Sequence, residues 1–224
     1  MTVLAFDCAV TGLGVAVVRD GVLLAGLAES GRDQAARLLP AIETVLANAS
    51  VDRRDVSLIA VTIGPGSFTG VRVGLAAARG LAVGLAVPLA GVATTAVLLA
   101  QAASGERVAV AAIDSRLGDW FCAIAEGEAV PFATSARDLA VRLDGRPCLV
   151  IGTGVQALAG DLAAIGIDAI AEDAVPDAAA LARLAGAAGI DAWRDRNARE
   201  GLPRPLYLRG VNITLPDGAR RTVD

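Results

Sequence analysis

Two aspartates and two glycine-rich turns are the groups in this 224-residue chain whose type and spacing could do phosphate chemistry. Asp7 closes a strand-like run, Val3 to Phe6, and is followed by a Thr11-Gly12 turn; Asp114 closes another run, Val108 to Ile113. A carboxylate so placed either meets a phosphate-bound metal ion or caps the turn that follows it. Gly64-Pro65-Gly66 leads from a strand into a helix, where free amides can face an anion, and Gly152-Thr153-Gly154 leads from a strand into another helix, where it could face the adenosine of a nucleotide. The first of these turns lacks the GxxxxGK[ST] pattern of a nucleotide P-loop, so it reads either as a phosphate cradle or as the strand-turn-helix of an ordinary α/β core.

What the chain lacks excludes more than its motifs suggest. It has no histidine, which removes Ser-His-Asp triads, Cys-His pairs, HExxH zinc sites and any histidine general base. Its 20 basic residues are all arginine, so there is no P-loop lysine and no Schiff-base lysine. Cys8, Cys122 and Cys148 are far apart and odd in number, and the first two sit in apolar runs, as buried reduced thiols in a cytoplasmic protein would. No catalytic residue and no metal-ligand set is expected. Twenty-four acids give a net charge of −4, the wrong sign for an overall nucleic-acid footprint. From Trp193 onward, however, seven arginines face four acids. This basic tail is either a solvated segment or an arm for RNA or an acidic partner.

The elements that must position these groups follow from periodicity. Val3 to Phe6, Gly14 to Val18 and Val22 to Ala28 read as an antiparallel meander with Asp20-Gly21 as its second turn. Gln34 to Asn48 carries Leu38, Leu39, Ile42, Val45 and Leu46 at helical spacing, with Pro40 expected to kink the helix or to mark its first turn. After the strand Leu58 to Ile63, Ser67 or Thr69 caps a long helix starting near Gly70. Gly70, Gly74, Ala78 and Ala82 recur every four residues there, and the expectation is a nearly bare surface ridge for another helix. Gly80 to Gly105 is uncharged and long enough to span a bilayer, but Pro88 and Gly91 divide it into a helix end, a buried strand from Pro88 to Val92 and a helix from Thr94 to Ala103. No membrane association and no secretory signal is expected.

A second unit echoes the first. Val108 to Ile113 pairs with Asp119 to Ala125 across Arg116-Leu117-Gly118; Leu149 to Ile151 leads into a helix from Val155 to Ala164, and Pro176 to Ala188 forms another. A returning strand is expected around Leu206 to Leu208. The expected organisation is an N-terminal lobe, 1–104, a C-terminal lobe, 105–209, and an arginine-containing tail, 210–224.

GPGSFTGVRVG at 64–74, AAIDSRLGDWF at 111–121, IGTGVQAL at 151–158 and PLYLR at 205–209 together resemble the TsaB (YeaZ) family, in the family's order and across the chain. The resemblance implies an α/β fold of the actin-like, Hsp70-like and sugar-kinase-like ATPase superfamily, with two ribonuclease-H-like lobes and mixed sheets. It implies a noncatalytic dimerisation and activation subunit. Such a subunit binds the catalytic paralogue TsaD, works with the ATPase TsaE, and serves threonylcarbamoylation of the tRNA adenosine beside the anticodon. The chain then has no cofactor of its own; ATP or ADP and metal sit on the partner or at the shared interface, and tRNA is met through the complex. The N-lobe helices pair with those of TsaD, or with a second copy of the chain, and Leu38, Leu39, Ile42, Phe68, Val71, Gly74, Leu75 and Ala78 are the implied interface. Asp7, Asp114, Gly152 and Gly154 are the nucleotide-proximal positions. Gln34-Ala35 and Cys8 depart from the residues common in the family.

Three other functions compete. A stand-alone ATP-dependent kinase or ATPase would use Asp7 and Asp114 around Mg²⁺, but Ala9 stands where that superfamily's phosphate loop usually has glycine. A metallopeptidase lacks any histidine or carboxylate pair to build on. Direct tRNA binding by this chain alone would rest on the tail.

Overall fold

The computed structural model describes residues 1–31, 33–127, 129–208, 211–214 and 220–223, the last two segments by their backbone alone. Every residue of β1 (Thr2–Asp7) is buried, which accounts for its apolar run: it lies inside a five-stranded sheet with neighbours on both edges and both faces. β2 (Leu13–Arg19) and β3 (Val22–Glu29) complete the antiparallel meander. Their turn, Asp20-Gly21, has φ values of 50° and 82°, the left-handed pair that a two-residue type I′ hairpin requires. β4 (Leu58–Thr62) and β5 (Leu89–Val92) add in parallel, giving the order β3-β2-β1-β4-β5.

The second sheet repeats this plan. β6 (Val108–Asp114), β7 (Trp120–Ile124) and β8 (Phe132–Thr134) form its meander, and β9 (Cys148–Thr153) and β10 (Ala169–Asp173) its parallel extension, in the order β10-β9-β6-β7-β8. The duplicated, mixed-sheet α/β fold expected from the two opening strands is the observed architecture. β11 (Val211–Thr214) and β12 (Arg220–Val223) pair antiparallel. The side chains of the 210–224 tail and of Arg209 lie outside the described residues.

Helices cover both faces of each sheet. α1 (Gln34–Asn48) and α2 (Phe68–Leu85) bury Leu38, Ile42, Val45, Val71 and Leu75 against Leu4 and Phe6. The alternate residues of β1, Val3 and Ala5, face α6 (Ala178–Ala187) on the other side. α4 (Ala136–Leu143) and α5 (Gln156–Ala164) pack Leu139, Leu143, Leu158 and Leu162 on Val110, Ala112 and Val150. Leu98 of α3 (Thr94–Leu99) covers the opposite face at Ala111, Ile113 and Ile151. The two halves therefore exchange helices: α3 follows the first sheet and covers the second, and α6 follows the second sheet and covers the first.

Several expectations need correction. Residues 176–208, expected in the C-terminal lobe, pack on the first sheet. Ala5, Ala16, Ala60 and Ala90 leave a shallow surface there that fits the alanines 178, 179, 182 and 185 of α6. α7 (Ile190–Glu200), polar nearly all round, was not expected; it is held by the buried Trp193, whose Nε1–H donates to the Ala185 carbonyl at 2.8 Å. The Leu206 to Leu208 segment is no strand but an extended strap, tied by the Leu206 amide to the Ile63 carbonyl at 2.8 Å. α1 runs through Pro40 without ending, because Pro40 and Ala36, whose carbonyl loses its helical donor, are both on the exposed side. Gly80 to Gly105 is divided as expected among α2, β5 and α3. α2 is long and apolar enough to cross a membrane by length and composition, yet it carries Arg72 and Arg79 and lays one side on the sheet.

Candidate functional site

Asp7 ends β1 in the position where a metal-bound phosphate was considered, and the chain itself surrounds it. The carboxylate is 3% exposed and accepts from the Thr62 hydroxyl and, at 3.1 Å, from the Ala9 amide. Burial pushes its pKa up to about 6 against the pull of those two donors. The loop after it folds onto the start of both outer helices. Ala9 accepts from the Ser67 amide at 2.6 Å, and Gln34 Nε2 donates to the carbonyls of Cys8 and Gly12 at 3.2 and 2.6 Å. The Ser67 hydroxyl in turn caps α2 by accepting from the Gly70 amide at 3.3 Å, so Ser67, and not Thr69, is the cap. A Cβ on Gly70 would lie 1.9 Å from the Cys8 carbonyl oxygen. The glycine-rich turn thus receives a neighbouring loop at close range, as the strand-turn-helix reading of it requires.

The other nucleotide-proximal positions lie in the second sheet. Asp114 is exposed at the end of β6 and accepts from the Arg116 amide at 2.7 Å, in a turn closed by Ser115 and Asp119. Gly152 is pressed against the neighbouring strand, where a Cβ would meet the Ala112 carbonyl oxygen at 1.8 Å, whereas Gly154 faces open space. The Gly154 amide donates to Asp173 at 2.9 Å, and Gln156 Nε2 bonds the same carboxylate. Asp173, at the end of β10, was not singled out from the sequence because its strand carries no alternation to reveal it. Asp114, Gly152, Gly154 and Asp173 therefore share the carboxyl-terminal edge of the second sheet, and Asp7 stands at that of the first. Among the described residues no group of three or more His, Cys, Asp or Glu side chains is arranged to hold a metal ion.

The expected partner-facing residues divide sharply by exposure. Leu38, Ile42, Val71, Leu75 and Ala78 are each 4% exposed or less, and Gly74 is buried with Val61 Cγ2 3.3 Å from where its Cβ would be. They face the first sheet, so the Gly70-Gly74-Ala78-Ala82 ridge lets α2 approach its own sheet closely and offers nothing to another helix. Leu39 and Phe68 are exposed, 52% and 45%. The surface of α2 lies on the opposite side, along Thr69, Ala76, Gly80, Val83 and Gly84 with the half-buried Val73 at its margin, where Val83 is 72% exposed and nothing stands within 4 Å of a Cβ on Gly80 or Gly84. The signal for this face was in the sequence, in Gly80 and Gly84, but the more regular ridge masked it.

One flank of that face is closed by α7 and the strap after it. Asn197 pairs with both the amide and the carbonyl of Leu89, at 2.8 and 3.0 Å, and so covers the free edge of β5. Arg79 donates from Nε and Nη2 to the Pro203 carbonyl at 3.2 and 2.6 Å. Farther along, Tyr207 stacks on Phe68 with ring centroids 5.8 Å apart, and Arg72 lies 3.6 Å over the Phe68 ring while its Nε–H donates to the Tyr207 hydroxyl at 2.9 Å.

Comparison with known proteins bears on this geometry. A family profile described as "TsaD: tRNA N6-adenosine threonylcarbamoyltransferase" matches residues 28–142. The tRNA threonylcarbamoyladenosine biosynthesis protein TsaB of Escherichia coli (strain K12) is 34% identical over 126 residues, 55% of this chain and 54% of that protein. The chain thus aligns with about half the length of that curated relative. A crystal structure of an uncharacterized protein with similarity to peptidase YeaZ from Pseudomonas aeruginosa is 30% identical, with a TM-score of 0.75 over 93% of this chain and 99% of the other. The activator of the 2-hydroxyisocaproyl-CoA dehydratase from Clostridium difficile, with bound ADPNP, is 10% identical with a TM-score of 0.53 over 91% of this chain and 100% of the other; that likeness concerns the fold alone.

Proposed function

Because this chain belongs to the TsaB (YeaZ) family, we propose that it serves tRNA threonylcarbamoyladenosine biosynthesis as a noncatalytic subunit, binding the catalytic paralogue TsaD through the outer side of its first lobe. The observation that carries the reading is the exposed side of α2. Ala76, Gly80 and Gly84 form a shallow apolar helical surface with Val83 standing out from it, flanked by exposed Phe68, to which another helix can approach closely. Leu39 and Phe68 stay in the proposed interface, and Val73, Ala76, Gly80 and Val83 replace the six buried positions.

The remaining residues support a supporting role. A chain without histidine or lysine offers few groups for acid-base or phosphoryl chemistry, and its first-lobe carboxylate, Asp7, is engaged by Thr62 and Ala9. In this reading ATP or ADP and metal belong to the partner or to the shared interface, TsaE joins the assembly, tRNA is reached through it, and the complex works in the cytoplasm.

Co-purification with the TsaD homologue of the same organism, sized by light scattering with each protein alone as control, tests the proposal. A stable heteromeric complex whose ATP-dependent tRNA modification needs both chains is the expected result. No complex, together with magnesium-dependent ATP hydrolysis by this chain alone, overturns it in favour of an ATPase.

A further inference from the structure

Arg72 is held as few surface arginines are. Its guanidinium lies 3.6 Å over the Phe68 ring and 5.8 Å from the Tyr207 ring, and its Nε–H is fixed on the Tyr207 hydroxyl. Three contacts thereby remove the rotamer freedom that usually weakens an exposed cation's contribution to binding. The two terminal amino groups have no hydrogen-bond partner among the described residues, and Arg72 is exposed. Nothing acidic in the sequence nearby competes for it. Residues 56–105 contain no Asp or Glu, nor do residues 201–208 of the strap, so α2 and the strap contribute Arg72, Arg79 and Arg204 to this flank and no carboxylate of their own. The nitrogens of Arg79 are partly engaged by Pro203, which leaves Arg72 as the ordered fork.

We propose that Arg72, clamped by Phe68 and the strap residue Tyr207, recognises a carboxylate on the protein that packs against α2. The inference rests on the reading that the outer side of α2 is the partner face, and it deepens that reading by naming the partner's chemistry: an apolar helix surface bearing an acidic side chain at its edge. The apolar, glycine-containing stripe continuous with Arg72 favours a protein over RNA, which would need a broader run of cations. Tyr207 acts as a positioning residue. Its hydroxyl fixes the guanidinium through Nε, leaving the two amino groups to a partner, and the strap becomes part of the binding surface although Tyr207 follows Arg72 by 135 residues in sequence.

Calorimetric titration of the full chain with the TsaD homologue, at two salt concentrations, separates the outcomes. Arg72→Ala should weaken binding about 30-fold and flatten its salt dependence. Arg72→Lys should keep the salt dependence and recover only part of the affinity, and Tyr207→Phe should cost about 3-fold at an unchanged melting temperature. Wild-type binding with Arg72→Ala within 2-fold of it would overturn the carboxylate contact alone, and no wild-type binding would overturn the partner reading with it. If Arg72→Ala instead left protein binding intact and abolished retention of an anticodon stem-loop RNA, the site would be an RNA contact and the proposal wrong.

Discussion

Asp7 shows how one residue type admits two chemistries that only its surroundings can separate. From the sequence, a carboxylate at the end of a first strand reads equally as a metal-phosphate contact or a turn cap; the structure gives it the Thr62 hydroxyl and the Ala9 amide inside a nearly sealed site. Two hydrogen bonds do not offset the loss of water, so the pKa rises from 3.8 to about 6. A carboxyl whose folded pKa exceeds its unfolded one binds its proton more tightly in the folded chain. Its contribution to stability is complete below pH 4 and is lost as pH rises through 6. A shift of that size corresponds to about 3 kcal/mol at neutral pH. Asp7→Asn should therefore stabilise the chain by about 1–3 kcal/mol at pH 7.5, less whatever the unpaired amide protons cost, and give no advantage at pH 4. Urea denaturation at both pH values measures this. An equal effect at the two would mean that Asp7 ionises in the fold without penalty. Cys8, next to it, is pushed up to about 12 by burial first and by Asp7 second, in keeping with the inert thiol expected from its apolar neighbours.

At the scale of the element, α2 carries most of the functional argument, and it also marks where sequence periodicity stops being informative. Its length, its cap at Ser67 and the glycine-rich entry were legible, because caps and breakers act within a few residues. Which side faces inward was not. Small residues every four positions permit close approach on whichever side they lie, and this helix has two such lines: Gly70-Gly74-Ala78-Ala82 against the sheet and Ala76-Gly80-Gly84 toward solvent. Only the position of the Cys8 carbonyl and the Val61 methyl decides between them. The two lines should respond oppositely to the same substitution. Gly74→Leu forces a side chain into Val61 and should cost the free chain about 3 kcal/mol or abolish folding. Gly80→Leu has open space and, by replacing a mid-helix glycine, should stabilise the free chain by about 0.5–1 kcal/mol while blocking association with the partner. Thermal melts of the two variants, beside partner pull-down, check the pair. A folded Gly74→Leu chain that loses its partner would return the interface to the inner ridge. α7 was missed for a related reason: Ile190 to Glu200 has no apolar stripe, and the one anchor that matters, Trp193, is a single residue whose partner Ala185 sits on another helix.

In the whole molecule, the sequence order of elements and their spatial grouping disagree, and this part of the fold could not be read from local pattern. The two opening aspartates, the repeated hairpins and the glycine turns made the duplication legible, but a helix does not carry the address of the sheet it covers. α3 and α6 cross over, and a third segment, α7 with Asn197 and the strap with Pro203 and Tyr207, returns to the edge of the first sheet and to α2. The first sheet is consequently incomplete without residues that follow the second. Cut after residue 104, the chain would leave Val3, Ala5, Ala16, Val18, Leu58 and Ala60 without α6, and the amide and carbonyl of Leu89 without Asn197. An uncovered apolar sheet face exposes a large patch, and the opened edge of β5 presents unpaired backbone groups to another chain. The fragment 1–104 should therefore aggregate or give a collapsed amide NMR spectrum, whereas its co-expression with 105–224 should restore a soluble, well-dispersed chain pair. A monomeric fragment with native-like dispersion would mean that the first lobe closes on its own. In that case the crossing of α3 and α6 would only dock two independent lobes, and the partner face on α2 would need neither the strap nor Tyr207 to form.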